Sequence, residues 1–322
     1  MDLHVFTTLM SLLDTYGLYN VVIRSYSLEH LEGVELLQVG SWRCGDCSVF
    51  GMFRRCTVTG RTSRLAAWAR KTHSTSPITE QNTVAIYADR AVVVLNKAPG
   101  IQTQLETNLT TGVFICGRTK SAVTDLTRQF KARDIEKVYL ALVRGGEASF
   151  PGSSGQMENW WHKKNGYVSA SEKQLEPEDR LMRTDWERLA SSLIAPLSLV
   201  LLRPRTGYKH QLRAQLSYME VPILGDVRYS KEVHPSISQV MKIPGDILYL
   251  HATSTSFYRY RKAAKPRRFR LGVTAPVPKY FEETCAAFKI PLGDEYVRGG
   301  IYVDGEYVTN GVIEEVEGKW LL

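Results

Sequence analysis

The sequence predicts an α+β fold. Short apolar segments of strand length, such as residues 84–87 and 91–95, are separated by turn residues. The apolar run 197–202 predicts a buried strand, and apolar residues at helical spacing follow it after Gly207. Another helix is predicted after residue 119, and its core-facing stripe is formed by Ala122, Val123, Leu126 and Phe130.

The bulk composition is typical of a globular protein, and the net charge favours an anionic partner. The chain has 322 residues, of which 43% are hydrophobic and 23% are charged, so it suffices for one large or two modest domains. Its formal net charge of +8 favours a polyanion as the binding partner. No apolar stretch reaches the length of about 18 residues that a membrane helix needs, and we therefore expect no membrane association.

The five cysteines predict neither a disulfide framework nor a metal site. Their number is odd and low for this length, which favours a reducing compartment. Cys44 and Cys47 form a C-x-x-C pair with Cys56 further along, but zinc would require a fourth ligand. Cys116 lies in a predicted core strand and His73 is distant in sequence, so no metal is expected.

Residues 1–80 are predicted to be an N-terminal extension. Residues 52–75 are rich in Arg, Ser and Thr and contain no acidic residue, a composition typical of a mitochondrial transit peptide. We expect Met52 to be a functional start and the segment to direct the protein to mitochondria. The alternative is that the same segment is a flexible basic arm that binds RNA.

The most distinctive stretch is R-T-G-Y-K-H-Q-L-R-A-Q-L, residues 205–216, followed by V-P-I-L-G-D at 221–226. It predicts a glycine turn, a basic helix and a tight return to the sheet. A helix N-terminus after such a turn is a common site for phosphate. A basic amphipathic surface helix explains the spacing equally well.

Several motifs in order resemble those of the RluA-type pseudouridine synthases. The stretch at 205–226 is similar to the family's T-G-R-x-H-Q-I-R…G-x-P-I-x-G-D, and F-K-A-R-D-I-E-K-V-Y-L-A-L-V at 130–143 is similar to F-x-x-R-x-V-x-K-x-Y-x-A-L-V. Two shorter matches are N-K-A-P-G at 96–100 and L-Y-L-H-A at 248–252. The resemblance implies a mixed, largely antiparallel sheet with flanking helices and a central RNA-binding cleft, over residues 81–290.

Members of this family detach uracil from its ribose and rejoin it through carbon. The resemblance implies a flipped base, an Asp nucleophile, a Tyr stacked on the base, a basic partner of the Asp, and no cofactor. It assigns the stacking role to Tyr139 and the basic role to Arg213. The family Asp lies in H-R-L-D-x-x-T-S-G, whereas residues 103–112 are T-Q-L-E-T-N-L-T-T-G.

That substitution bears on whether the protein is an enzyme. Aligned without a gap, Thr107 takes the place of the Asp, and one extra residue brings Glu106 there instead. A glutamate is one methylene longer, and catalytic geometry tolerates displacements of only about 0.5 Å. We expect catalysis to be impaired or lost. The alternative is an active synthase that uses Glu106.

The predicted RNA contacts are basic or amide side chains in or beside these motifs. They are Lys97, Arg133, Lys137, Lys209, His210, Gln211, Arg259, Arg261, Lys262, Lys265, Arg267 and Arg268. The cations of the 259–270 run are interleaved with Tyr258, Tyr260 and Phe269, which suits unpaired RNA, although a solvated basic loop is the ordinary alternative. Residues 146–165, which include Trp160 and Trp161, are predicted to form a loop.

Residues 291–322 have no counterpart in the family motifs. They alternate around Asp304-Gly305 and predict a hairpin extension. This hairpin and the N-terminal arm are the expected contacts for ribosomal or assembly-factor proteins. The expected client is large-subunit ribosomal RNA in a mitochondrion, and the expected role is in ribosome assembly.

Overall fold

A computed structural model describes residues 83–100, 109–230, 234–244, 247–261 and 266–322. The strands within these ranges are β1 Val84–Ala88, β2 Val92–Lys97, β3 Thr111–Gly117, β4 Glu136–Arg144, β5 Ser154–Lys164, β6 Tyr167–Ser171, β7 Arg180–Ser191, β8 Leu197–Pro204, β9 Leu250–Tyr260, β10 Arg268–Thr274, β11 Gly300–Val303, β12 Glu306–Tyr307, β13 Val312–Ile313 and β14 Gly318–Trp320. The helices are α1 Lys120–Ala132, α2 Gln211–Tyr218, α3 Pro235–Val240, α4 Lys279–Ala287 and α5 Asp294–Arg298, with short 3-10 turns at Glu147–Ser149 and Glu314–Val316.

The strands form one continuous sheet. Its order is β13-β14-β1-β2-β3-β9-β4-β8-β7-β5-β6, and a branch leaves β9 through β10, β11 and β12. Within the described ranges β3 and β9 form the single parallel pair, and the other pairings are antiparallel. The predicted mixed, largely antiparallel sheet with flanking helices is therefore confirmed.

Two apolar clusters hold the helices to the sheet. The larger one includes Leu140, Leu199 and Leu212, and it joins β4, β8 and α2. The smaller one includes Leu126 and Phe257, and it joins α1 to β9. Each fully buried side chain of this size contributes about 1.5–3 kcal/mol through removal of apolar surface from water.

Helix α1 begins as the sequence predicts but exposes a residue assigned to its core stripe. The Thr119 side chain caps it by accepting a hydrogen bond from the Ala122 backbone N–H. Phe130 is 52% exposed, so its assignment to the core is wrong. Gln129 is buried instead. Its side-chain amide accepts from the backbone N–H of Tyr258 and donates to the carbonyl oxygen of the same residue. These backbone groups are open to it because β9 extends beyond Glu136, the first residue of β4.

The segment predicted as a loop at 146–165 is largely strand. Residues 154–164 form β5, which pairs with β6 and β7. Met157 and Asn159 are both buried, and this burial of every second residue is typical of a strand. The Gly, Ser and Trp residues of the segment hid this alternation in the sequence. The basic run 259–270 likewise continues β9 and opens β10, where these strands pair with each other, and is therefore not a plain loop in its described part.

The C-terminal segment, residues 291–322, is built into the same sheet. Strands β11 and β12 form a hairpin around Asp304-Gly305, but β11 also pairs with β10. Strand β14 pairs with β1, and Ile301 and Ile313 enter the smaller core cluster. The segment supplies sheet edges and core residues, because β1 and β10 would otherwise end the sheet unpaired.

No helix in the described ranges is both long and apolar enough to cross a bilayer. Cys116 and Cys285 are free and buried. The cysteines considered as zinc ligands, Cys44, Cys47 and Cys56, lie outside the described residues, as do the predicted targeting segment and the rest of the N-terminal extension.

Candidate active site

Four residues on adjacent strands form a row across one face of the sheet, here called the central row. Lys97 pairs with Gly112, Gly112 with Ala252, and Ala252 with Tyr139. Three strand spacings separate Lys97 from Tyr139, a distance of about 14 Å between their backbones. The two residues between them have almost no side chain, so the row places an amine and a phenol ring on either side of two small residues.

Gly112 is required at its place in the row. Its φ is +99°, a conformation that residues with a side chain rarely adopt, and an added Cβ would overlap the carbonyl oxygen of Ala252. The neighbouring Thr111 Oγ1 lies 2.9 Å from His251 Nδ1. These contacts fix the start of β3.

His251 holds this junction as a neutral ring. Burial lowers the pKa of the imidazole to about 4. Its Nε2 is 3.3 Å from the carbonyl oxygen of Ala275, which can only accept a hydrogen bond, so we assign the proton to Nε2. Nδ1 then accepts from the hydroxyl of Thr111.

Tyr139 sits where β4 is irregular. The register between β4 and β9 shifts between Val138 and Tyr139, which is the mark of a β-bulge. The side chain is half-buried and packs against the larger core cluster. Burial raises the pKa of its phenol, so the ring is neutral at physiological pH and can stack on a base.

Lys97 is a buried amine at the other end of the row. Its Nζ donates a hydrogen bond to the carbonyl oxygen of Ala98 at 3.1 Å. Burial lowers the pKa of this ammonium to about 7, because the charged form is poorly solvated there. The charge at this end of the row is therefore sensitive to pH near neutrality.

We expect the stability difference between wild type and Lys97→Met to change with pH. Between pH 7 and about 10.4 the unfolded lysine binds a proton that the folded one has lost, so the stability contributed by Lys97 rises with pH. Relative to the variant, wild type should gain about 1.4 kcal/mol for each pH unit in this window. Urea unfolding at pH 7, 8 and 9 measures it, with the exposed Lys289→Met as control. A constant difference would contradict the pKa assignment.

Arg213 is held by Asp226 in a buried bidentate pair. Its Nε donates to one carboxylate oxygen at 2.7 Å and its Nη2 to the other at 2.6 Å. The backbone N–H groups of Arg228 and Tyr229 also donate to Asp226, at 3.1 Å each. Asp226, the last residue of the long motif, thus orients Arg213, which the resemblance pairs with the nucleophile. The sequence alone did not assign this role to Asp226.

The turn before α2 is braced by aromatic rings. His210 adopts a left-handed conformation, and its Nδ1 lies 3.2 Å from the Tyr229 hydroxyl. Trp161 donates from its indole N–H to the carbonyl oxygen of Lys209, and its ring lies 5.9 Å from that of Tyr208. Trp161 therefore packs on the protein. The adjacent residues Trp160 and Trp161 were the feature of the sequence that could have indicated this packing.

Two of the predicted RNA contacts lie at the turn itself. The buried amide of Gln211 accepts from the Thr206 hydroxyl and the Tyr208 N–H, and it donates to Thr184. Lys137 is half-buried on β4, and a methyl group at Gly207 would lie 3.0 Å from its Nζ. The two long motifs thus meet at this turn. Burial lowers the pKa of Lys137, and the nearby exposed Arg133 lowers it further.

The basic run at 259–270 divides into inward and outward cations. Arg259 is buried and donates three hydrogen bonds of 3.0 Å to the carboxylate of Asp89. Arg261 lies over the Phe269 ring at 4.4 Å and 3.4 Å from Glu315. Both are engaged by the protein, whereas Arg267 and Arg268 are exposed. Glu106, Lys262 and Lys265 lie outside the described residues.

Residues 107–218 match the family model described as RNA pseudouridylate synthase. Ribosomal large subunit pseudouridine synthase D of Borreliella burgdorferi is 35% identical over 134 residues, which are 41% of this chain and 39% of the relative. Over these segments the chain is similar to the RluA-type pseudouridine synthases. The family match begins one residue after Glu106, so it includes the T-T-G junction, Tyr139 and Arg213.

A further sequence relative and a solved structure are also similar to this chain, and the structure agrees with its fold. Pseudouridylate synthase RPUSD4, mitochondrial, of Bos taurus is 26% identical over 218 residues, which are 58% of this chain and 55% of the relative. The solved structure titled Human RNA Pseudouridylate Synthase Domain Containing 4 superposes with a TM-score of 0.52 at 20% identity, over 65% of this chain and 94% of that one. The chain spans about two fifths of the length of the first two curated relatives.

Proposed function

We propose that this protein binds structured RNA through the central row and the turn before α2, and that its catalysis is impaired or lost. The observation that supports this is a contrast between the sheet and the sequence that precedes β3. Tyr139, Lys97 and Gly112 lie in one row of the sheet, whereas residues 103–110 contain no Asp. A binding surface survives the loss of one carboxylate, whereas covalent catalysis does not.

The proposed client is large-subunit ribosomal RNA in a mitochondrion. The relative from Borreliella burgdorferi is named a ribosomal large subunit synthase, and the bovine relative is named mitochondrial. The acid-free composition of residues 52–75 supports the same compartment. A role in ribosome assembly follows if the protein binds this RNA without modifying it.

The alternative is an active synthase with Glu106 as the nucleophile. Few residues separate the N-K-A-P-G motif from T-T-G, and a backbone path altered by this shortening would accommodate the side chain of Glu106, which is longer than that of Asp. The resemblance also implies a basic partner for the nucleophile, and Arg213 is present, with two of its N–H groups bound to Asp226.

Two measurements on cells with and without the protein distinguish these functions. Pseudouridine mapping of mitochondrial ribosomal RNA reports catalysis, and crosslinking of the tagged protein reports contact. We expect crosslinks to ribosomal RNA and an unchanged pseudouridine map.

A uridine that loses its modification, and regains it with wild type but not with Glu106→Ala, would instead establish the active enzyme. In that case Glu106→Asp should retain or raise the activity, because it restores the usual nucleophile. Absence of RNA crosslinks, with association to proteins that is insensitive to salt, would overturn both and indicate a protein scaffold.

A further inference from the structure

Strands β9 and β10 form a two-stranded ribbon, the β9–β10 ribbon, whose side chains are sorted by strand alternation. On β9 the odd-numbered residues 251–259 are buried and the even-numbered residues face outward. The register pairs Tyr260 with Arg268 and Tyr258 with Arg270, so these four side chains project from the same face. The ribbon therefore presents two tyrosines opposite two arginines.

The rings and guanidinium groups on this face are preorganised. The guanidinium carbons of Arg268 and Arg270 lie 4.2 Å and 4.4 Å from the centre of the Tyr258 ring. Tyr260 is 42% exposed, and its hydroxyl is 3.4 Å from Arg128 Nη2 on α1. An exposed ring beside fixed cations is the arrangement that stacks an unpaired base while holding its phosphates.

The ion pairs that the structure describes on this face leave one arginine without a carboxylate. Asp125 bonds Arg128, and Glu136 lies 3.4 Å from Arg270. Within the described residues Arg268 has no carboxylate partner. This exposed arginine is thus available for a phosphate.

The face is continuous with the central row. Ala252 belongs to that row, and Ser254 and Ser256 lead from it along the same side of β9 to Tyr258. Six residues of strand cover about 20 Å, the length of several nucleotides. We propose that the outward face of the β9–β10 ribbon binds an unpaired RNA strand that flanks the nucleotide held in the central row, with a base stacked on Tyr260 and a phosphate on Arg268.

This proposal rests on the proposed RNA-binding function and is tested with two probes that separate them. One probe is an RNA hairpin without overhang, and the other is the same hairpin with a single-stranded tail. We expect the full-length protein to bind the tailed hairpin more tightly. The double variant Tyr260→Ala, Arg268→Ala should lose this advantage, with about tenfold weaker binding of the tailed RNA and little change for the blunt hairpin.

Matched variants make the result specific. Tyr260→Phe keeps the ring and should bind like wild type, and Arg268→Ala alone should reduce the salt dependence of binding by about one phosphate contact. Arg298→Ala removes an arginine that is 79% exposed on α5 and should have no effect. Thermal unfolding verifies that each variant is folded.

Equal affinity of wild type and the double variant for the tailed RNA would overturn the ribbon proposal and leave the proposed function standing. Wild type that binds both hairpins equally would do the same. Wild type that binds neither probe would count against the RNA-binding function itself, and the ribbon proposal would fall with it.

Discussion

Replacing Asp226 with alanine is expected to destabilise the protein by about 3–5 kcal/mol, a large part of the stability of an ordinary domain. The substitution leaves the guanidinium of Arg213 in a buried place without its counter-charge. It also removes the acceptor for the backbone N–H groups of Arg228 and Tyr229. The free energy of unfolding in urea, compared with that of wild type, measures the effect.

Two further variants show whether the cause is the uncompensated charge. Asp294→Ala breaks an exposed pair with Arg298 and should change stability by less than about 1 kcal/mol. The combination Arg213→Met, Asp226→Leu removes both charges and should recover the part of the loss that comes from the uncompensated charge, but not the part that comes from the backbone N–H groups. A loss of stability below about 1 kcal/mol for Asp226→Ala would show that the Arg213–Asp226 pair contributes little to the stability of the fold.

Substituting Gly112 with alanine is expected to cost about 3 kcal/mol or more. Part of the cost is the positive φ, which opposes any side chain by about 1–2 kcal/mol. The rest comes from the overlap of the new methyl group with the Ala252 carbonyl, which forces β3 away from β9 at the central row. Crosslinking to RNA should fall in parallel, because the row loses its alignment.

Gly305→Ala provides a control with matched backbone geometry. Gly305 has φ of +93°, close to that of Gly112, but an added Cβ there meets no atom within 4 Å. It should therefore show only the conformational cost, about 1–2 kcal/mol. If denaturant unfolding gave the two alanine variants the same stability, the close approach of β3 and β9 would be unimportant.

Local patterns predicted local structure well and failed where a partner lies far away in sequence. The helical period and the Thr119 cap located α1 correctly. The same period assigned Phe130 to the core, because nothing in the local sequence shows that β9 offers backbone groups for Gln129 to bond. The segment of β5 that includes Met157 and Asn159 is a strand because it pairs with β7, which lies more than 15 residues further along the chain.

The candidate site follows the same division. Motif order, through the family resemblance, singled out Tyr139 and Arg213 as site residues. It could not show that Lys97 shares a row with Tyr139, since that depends on the register of four strands. Nor could it separate Arg259, buried against Asp89, from Arg268, because charge alone does not tell which side of a strand a residue faces.

The pairing of β14 with β1 has a consequence for biosynthesis. Tyr87 and Trp320 are neighbours in the sheet although the ribosome makes them far apart in time. Until residue 320 has been synthesised, β1 has an open edge with unpaired backbone groups, an edge that another chain can join. The nascent protein is thus exposed to mispairing at this edge until β14 emerges, and formation of the β1–β14 pair must follow translation of nearly all the residues described.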